Sequence, residues 1–274
     1  MKLFWVKFRT EAKFLPGYFA AHILILSLAF LILKHFMDFQ FSLHLNNTYL
    51  LYLPVALLFG IQVPTLMHNC VHGNLKLKKL NFIIGELTCF FVLMGMGIIS
   101  INHTLHHAHS DSHMDPHNPA DKSFLRFFFT SLLSGVEIIE SKYYQFHGKS
   151  TKTVFLFKSS IMMHFLGIFL RLALWFLILG PNVFVAFFIP AFFFYVFVFS
   201  HVNYVTHAVD QNGDTQILNI DSNLYYNFIN FVGSGIYFHK NHHANPKSFN
   251  PKYLYLSRSV KKSSSHYRMN GELL

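Results

Sequence analysis

The chain has 274 residues, a net charge of +10, 53% hydrophobic residues and only 12% charged residues. That charge content is about half of the ~25% usual in soluble domains, which excludes an ordinary soluble enzyme and points to an integral membrane protein. The positive balance suits anionic headgroups, an acidic partner or a phosphate-bearing substrate. Nucleic acid is set aside, because the basic residues are scattered among apolar stretches.

Residues 1–15 are basic and aromatic and read as an interfacial lead-in. No cleavable leader is evident: the first apolar stretch follows Lys2, Lys7, Arg9 and Lys13 and is too long for one. Residues 17–34 are long enough to cross a bilayer. After a linker with Asp38 and His44, residues 48–67 form a second span, in which Pro54 and Pro64 are expected to introduce kinks. Lys76, Lys78 and Lys79 then mark an aqueous face. Residues 82–101 are a third apolar stretch, interrupted by Gly85, Gly95 and Gly97. A polar region covers 103–159 and contains Asp111, Asp115 and Asp121. Two further spans, 160–180 and 182–200, are joined by Gly180-Pro181-Asn182, a link so short that they form an antiparallel hairpin. Residues 201–274 are polar again and end in a basic tail around residues 263–265, with Lys261, Lys262 and Arg268 assigned to lipid headgroups or solvent.

Histidine is the residue that organises this pattern. Residues 103–109 contain His103, His106, His107 and His109. On a helix the His-x-x-His-His spacing places the first three on one face. The same spacing returns as His239, His242 and His243, and a shorter box, His68 and His72, closes the second span. Asn203 and His207, again four apart, follow the last span. Nine imidazoles and one amide are too many for a single ion and suit two. Imidazole alone does not choose among iron, zinc, copper and nickel. The carboxylate di-iron bundles are excluded, since no Glu-x-x-His occurs. Cys70 and Cys89 form no Cys-x-x-Cys pair and read as small buried residues. His109, Asp111 and Asp115 are candidates for the shell that orients the ligands, with ordinary loop roles as the alternative; His113, His117, Asp221 and Asn245 are weighed in the same way. His22 and His164, within spans, read as packed and hydrogen-bonded, and Arg171 as snorkelling or facing the interior.

Parity sets the topology. Boxes that share a site must share a side of the membrane. Spans 17–34 and 48–67 cross and return, as do 160–180 and 182–200. A crossing by 82–101 would separate the first two boxes, so that segment is expected to lie in the interface or to dip in and return. The expected fold is an all-α integral membrane domain over 1–274, with four transmembrane helices in two hairpins and a helical cap from 68–159 and 201–274. The basic N-terminus and Lys76–Lys79 put the boxes and both termini on the cytosolic side.

The three boxes, interleaved with two apolar hairpins, resemble those of the membrane fatty acid desaturases. The run from His107 to Asn118, which ends Asp115-Pro116-His117-Asn118, is similar to a segment of the acyl-CoA desaturases. Asn203-x3-His207 resembles that family's additional ligands, with Asn203 acting through a water. The resemblance implies two non-haem irons, dioxygen as co-substrate, a lipid acyl chain as substrate, and an external ferredoxin-like or cytochrome b5-like electron donor. Asn203-Tyr204-x2-His207 and His242-His243-Ala244 are also similar to membrane alkane hydroxylases, so a hydroxylase or ketolase on the same metal platform stays open. A metal transporter or haem protein would instead carry its ligands in mid-span, whereas these lie at span ends or beyond.

Overall fold

The computed structural model describes residues 2–37, 41–119, 122–209 and 215–254, with two short strands at 268–269 and 272–273. The expectations for Asp38, Asp121, Lys261, Lys262, residues 263–265 and the Arg268 side chain lie outside the described residues.

The chain is mostly helical. Helices α1 (Lys2–Thr10) and α2 (Phe14–Phe36) lead to a 3₁₀ turn (Asn47–Leu51) and α3 (Tyr52–His72). Next come α4 (Lys78–Phe91), α5 (Met96–His109) and α6 (Phe124–His147). Helix α7 (Thr151–Val183) runs through a π-helical turn (Phe184–Phe188) into α8 (Ile189–Thr206), and α9 (Leu224–Val232) and α10 (His239–Ala244) follow. One small sheet is added to the expected helical fold. Strands β1 (His207–Val209) and β2 (Thr215–Ile217) pair antiparallel, and β3 (Arg268–Met269) and β4 (Glu272–Leu273) extend them in the order β2-β1-β3-β4.

Phe14–Phe36, Asn47–His72 and the run Thr151–Thr206 are each long and apolar enough to cross a membrane. The last run has 56 residues. Unbroken, it would measure roughly 84 Å at 1.5 Å per residue, against a hydrocarbon core of about 30 Å. It is divided at Gly180, whose backbone (φ 68°, ψ 165°) leaves the helical region just before Pro181. Helices α4 and α5 meet at 96° across residues 92–95, so the third apolar stretch is bent rather than straight. The Met94 N–H returns to the Cys89 carbonyl (3.2 Å) there, with Leu93 left-handed. Two boundaries differ from the sequence expectation. Helix α7 begins at Thr151 on a capping box of Ser150 and Thr153, well before residue 160, and α3 continues through Pro64 and past residue 67 to His72.

Helix α3 packs on its sequence neighbour α4, but two extensive pairings join helices far apart in the chain. Helix α2 packs chiefly along α7, and α3 along α8. Both pairs run in the same direction. Phe19 meets His164, His22 meets Arg171, and Phe41 meets Phe176; likewise Tyr52 meets Phe187 and Gly60 meets Ala191. The turn after α2 and the break at Gly180 therefore share one end, where the His44 N–H donates to Asn182 Oδ1 at 2.8 Å. Leu24, Ile25, Leu28, Phe165, Phe169 and Phe193 face outward from these helices. Such an apolar exterior suits lipid and not water.

The α3–α8 crossing depends on Gly60, since a Cβ there would overlap the Ala191 carbonyl. Gly60→Val is expected to destabilise the fold by about 1–3 kcal/mol, the usual cost of forcing methyl groups into a packed contact. Thermal unfolding in detergent micelles would show it, and an unchanged midpoint would deny the contact.

Candidate metal centre

Four helix ends deliver the imidazoles. Gly73, with φ 75°, stops α3 directly after His72, and the Asn74 N–H reaches back to the Asn69 carbonyl (3.0 Å). His68 and His72 thus occupy the last turns of α3. The C-terminal half of α5 presents His103, His106 and His107. Helix α8 ends at Thr206, and His207 (φ −104°, ψ 78°) opens β1. Helix α10, too short to hold itself, is tied by Asn241. Its amide donates to the Pro251 and Leu254 carbonyls (2.9 and 3.1 Å) and accepts from Asn219 (2.8 Å).

The side chains form two groups. His68, His72, His103 and His242 bring one ring nitrogen each to within 4.8 Å of one another, and so do His106, His207, His239 and His243. His107 stands between the groups. Its Nε2 is 3.0 Å from Nε2 of both His103 and His242, and its ring lies 4.3 Å from that of His243. The Nε2 atoms of His72 and His103 are 2.6 Å apart, and those of His239 and His243 3.1 Å. Two nitrogens bound at right angles about 2.1 Å from one ion stand about 3 Å apart. Nε2 of His106 and of His207 is buried with no hydrogen-bond partner. An unsatisfied buried acceptor costs about 1–3 kcal/mol, and a cation is the partner that an inward lone pair accepts. The donor set therefore fits metal ions that favour imidazole.

Two carboxylates set the tautomers in the second group. Asp115 Oδ1 accepts Nδ1–H of His106 (2.8 Å), and Asp111 Oδ1 accepts Nδ1–H of His207 (2.6 Å). Each imidazole is left with its Nε2 lone pair directed inward. Asp115 is itself held by the backbone N–H groups of His117 (2.8 Å) and Asp111 (3.0 Å). Burial pushes its carboxyl up, against the opposing pull of His117. Burial first, and neighbouring imidazoles second, hold His239, His242 and His243 well below the ordinary value of 6.5. These shifts favour the neutral form of the three rings, the form that binds a metal.

The remaining candidates separate from these. The ring of His109 belongs to neither group, and its carbonyl accepts from Ser112. Asn203 gives its amide N–H to the Phe199 carbonyl (2.8 Å) and lines a cavity with His68, His103, His239 and His242. His117 lines the same cavity, 5.4 Å ring to ring from His106. His113 is exposed, and Asn245 caps a turn at Lys247. The cavity is otherwise walled by Met94, Ile99, Phe127, Tyr195, Phe199 and Ile236, among others.

Sequence inspection passed over the residues that seat α5. Glu86 accepts from the Tyr18 hydroxyl (2.7 Å) and from the Met96 N–H (3.3 Å), and Tyr18 Oη accepts the Gly97 N–H (2.9 Å). His22 extends the chain: Nε2 lies 3.7 Å from Glu86, and Nδ1 accepts from Arg171 at 2.8 Å. A carboxylate thus faces the N-terminus of the helix that carries the second box, where the helix dipole favours it. The available signal was a lone acid in the apolar stretch 82–101.

Two outcomes follow. Asp115→Ala is expected to weaken metal affinity by about 10–100-fold, the usual effect of removing a carboxylate behind a ligand histidine; equilibrium dialysis with elemental analysis measures it. The depressed histidines give a pH dependence of definite sign. Below 6.5 the unfolded chain takes up protons that the folded site refuses. Stability and metal retention are then level above about pH 7 and decline as pH falls below that value. Metal content and unfolding temperature across stepped buffers would show this, and a rise towards acid would contradict it.

A sequence model of the family described as fatty acid desaturase matches residues 47–264. No curated protein matches the chain, and no solved structure does.

Proposed function

The chain belongs to the fatty acid desaturase family, and we propose that it is an oxygen-dependent fatty acyl desaturase that places a double bond in a lipid acyl chain at a non-haem di-iron centre. The observation that most supports this is the placement of two four-imidazole groups side by side against one largely apolar cavity. His68, His72, His103 and His242 would hold one iron, and His106, His207, His239 and His243 the other. His107, between them, is within reach of both. Asn203, on the cavity wall, is the candidate for a water-mediated contact. Bound iron supplies activation of dioxygen and removal of hydrogen from an unactivated methylene.

The chain's own residues supply the rest. Asp111 and Asp115 keep the Nδ1 protons of His207 and His106 in place, so their Nε2 lone pairs stay available. Met94, Ile99, Phe127, Phe199 and Ile236 exclude water and confine the acyl chain beside the imidazoles. Electrons come from an external ferredoxin-like or cytochrome b5-like donor, for which the exposed Lys240, Lys247 and Lys252 around α10 offer a basic landing face. The membrane topology in this reading has four crossings, with α4 and α5 as a bent, non-crossing pair. Both termini and all the boxes then face the cytosol, on the side of Lys76, Lys78 and Lys79.

Expression in a host with a simple lipid profile tests the reaction. Acyl chains short of two hydrogens are expected in the lipid fraction, and chains that gain an oxygen atom would instead assign a hydroxylase or ketolase. His106→Ala and His243→Ala are expected to abolish the product while the protein still inserts in the membrane. Activity retained by either would remove that residue from the ligand set.

A further inference from the structure

Between Asp221 and His239 the chain has no charged side chain, although this region lies beyond the last span, where a polar cap is expected. Helix α9 occupies the first part of it. Its inner edge is Ile229, Asn230 and Val232, and the two apolar residues join the cluster of Ile61 on α3 and Val198 on α8. The level of this contact is fixed just after the helix, where a Cβ on Gly233 would stand 3.2 Å from Ile61 Cγ2. Ile61 precedes His68 by seven residues on α3, which is about 10 Å along the helix at 1.5 Å per residue. The end of α9 therefore lies well up the apolar stalk and not beside the imidazoles.

Its outer edge is open. Leu224 and Phe231 are each 85% exposed, and Phe228, between them on the same face, is 43% exposed. In water these side chains would leave their apolar surface hydrated. The inner polar groups, by contrast, are satisfied within the protein. Asn230 donates to the Ile220 carbonyl (2.9 Å) and accepts the Tyr237 N–H (2.9 Å). The Ile229 and Asn230 carbonyls accept from Gly233 and Gly235, both at 2.7 Å. That is the condition for a segment surrounded by hydrocarbon. Tyr225 and the exposed Asn227 fall in the first half of the helix, where a headgroup layer accommodates them.

We infer that α9 is embedded in the bilayer leaflet, with Leu224, Phe228 and Phe231 among the lipid acyl chains. The occupant of this face is lipid because α9 packs on α3 at the level of Ile61, within a helix long and apolar enough to cross a membrane, whose Leu58, one turn from Ile61, is itself turned outward. The segment that follows α9 supplies Gly233, Ser234 and Ile236 to the cavity wall. One side of the cavity is thus built by a strip of chain that follows a helix lying in the leaflet. This rests on the reading of the protein as membrane-spanning.

Site-directed spin labelling of the full chain in phosphatidylcholine vesicles tests it. Cys70 and Cys89 are buried, so an introduced cysteine takes the label and the unaltered protein serves as the labelling control. Phe231→Cys is compared with Ile25→Cys, outward on α2, and Lys247→Cys, exposed in the loop after α10. The ratio of accessibility to dioxygen over a nickel chelate at position 231 is expected to approach that at 25 and to exceed that at 247 several-fold. A nickel-accessible label at 231 with a lipid-like label at 25 overturns the inference alone. Water-like labels at both positions overturn the membrane reading itself. A label at 231 shielded from both reagents shows that a second copy covers the face, and also overturns the inference. Leu224→Cys gives the same readings where Phe231→Cys does not yield folded protein.

Discussion

Nine imidazoles drawn into one small volume must all be uncharged, and most of the architecture follows from that requirement. Protonated rings at these separations would repel one another strongly in surroundings that screen charge poorly. Neutral rings carry a different cost, because each keeps a lone pair that must be satisfied. Three of the rings, His72, His106 and His207, have a buried ring nitrogen with no hydrogen-bond partner among the described residues. The fold holds these groups converged by fixing the ends of separate elements: a left-handed stop at Gly73, an acidic cap at Met96, a change from helix to strand at His207, and an asparagine brace at Asn241.

Much of this was legible in the residue order. Spacing of three and four residues marks side chains that share a helical face, so the boxes can be read directly, and composition marks the apolar helices; for 82–101, crossing parity called for a segment that lies in the interface or dips in and returns, and its glycines made a break tolerable. Spacing does not reveal which side chains share an ion. His239 and His243 belong to one group, while His242, between them, belongs to the other. A helical turn of about 100° per residue points neighbours in different directions, and only the position of α10 between α5 and β1 decides where each points. His207 illustrates a second limit. Its spacing of four from Asn203 does not reveal that pairing with Ile217 places it in a strand. Its partner Asp111, left-handed at φ 64°, comes from a loop 96 residues earlier in sequence.

In the polar network of Tyr18, His22, Glu86 and Arg171, the sequence reading took His22 as hydrogen-bonded and allowed Arg171 an interior place, but the pairing through Tyr18 and Glu86 was illegible for a related reason. Each member, taken alone, is an isolated polar residue in an apolar stretch. Together they form a continuous chain from α2 through α4 to α7, and they end on the first N–H groups of α5. The second box is thereby tied to the apolar helices at the opposite end of its own helix. The location of α9 escaped for the opposite reason: it is short, and sequence rules that look for full-length spans treat a nine-residue helix as part of the cap.

The pairing of α2 with α7 and of α3 with α8 also bears on biosynthesis. Ribosomes deliver the amino-terminal half first, so Tyr18, His22 and Glu86 emerge long before Arg171, the cation that completes their chain. Until translation reaches that arginine, the earlier helices carry polar groups without their final counterpart, and Gly60 leaves a notch that no Ala191 yet fills. A chain ending before α7 would lack the cation that His22 accepts from, so the polar chain closes only with the carboxy-terminal half.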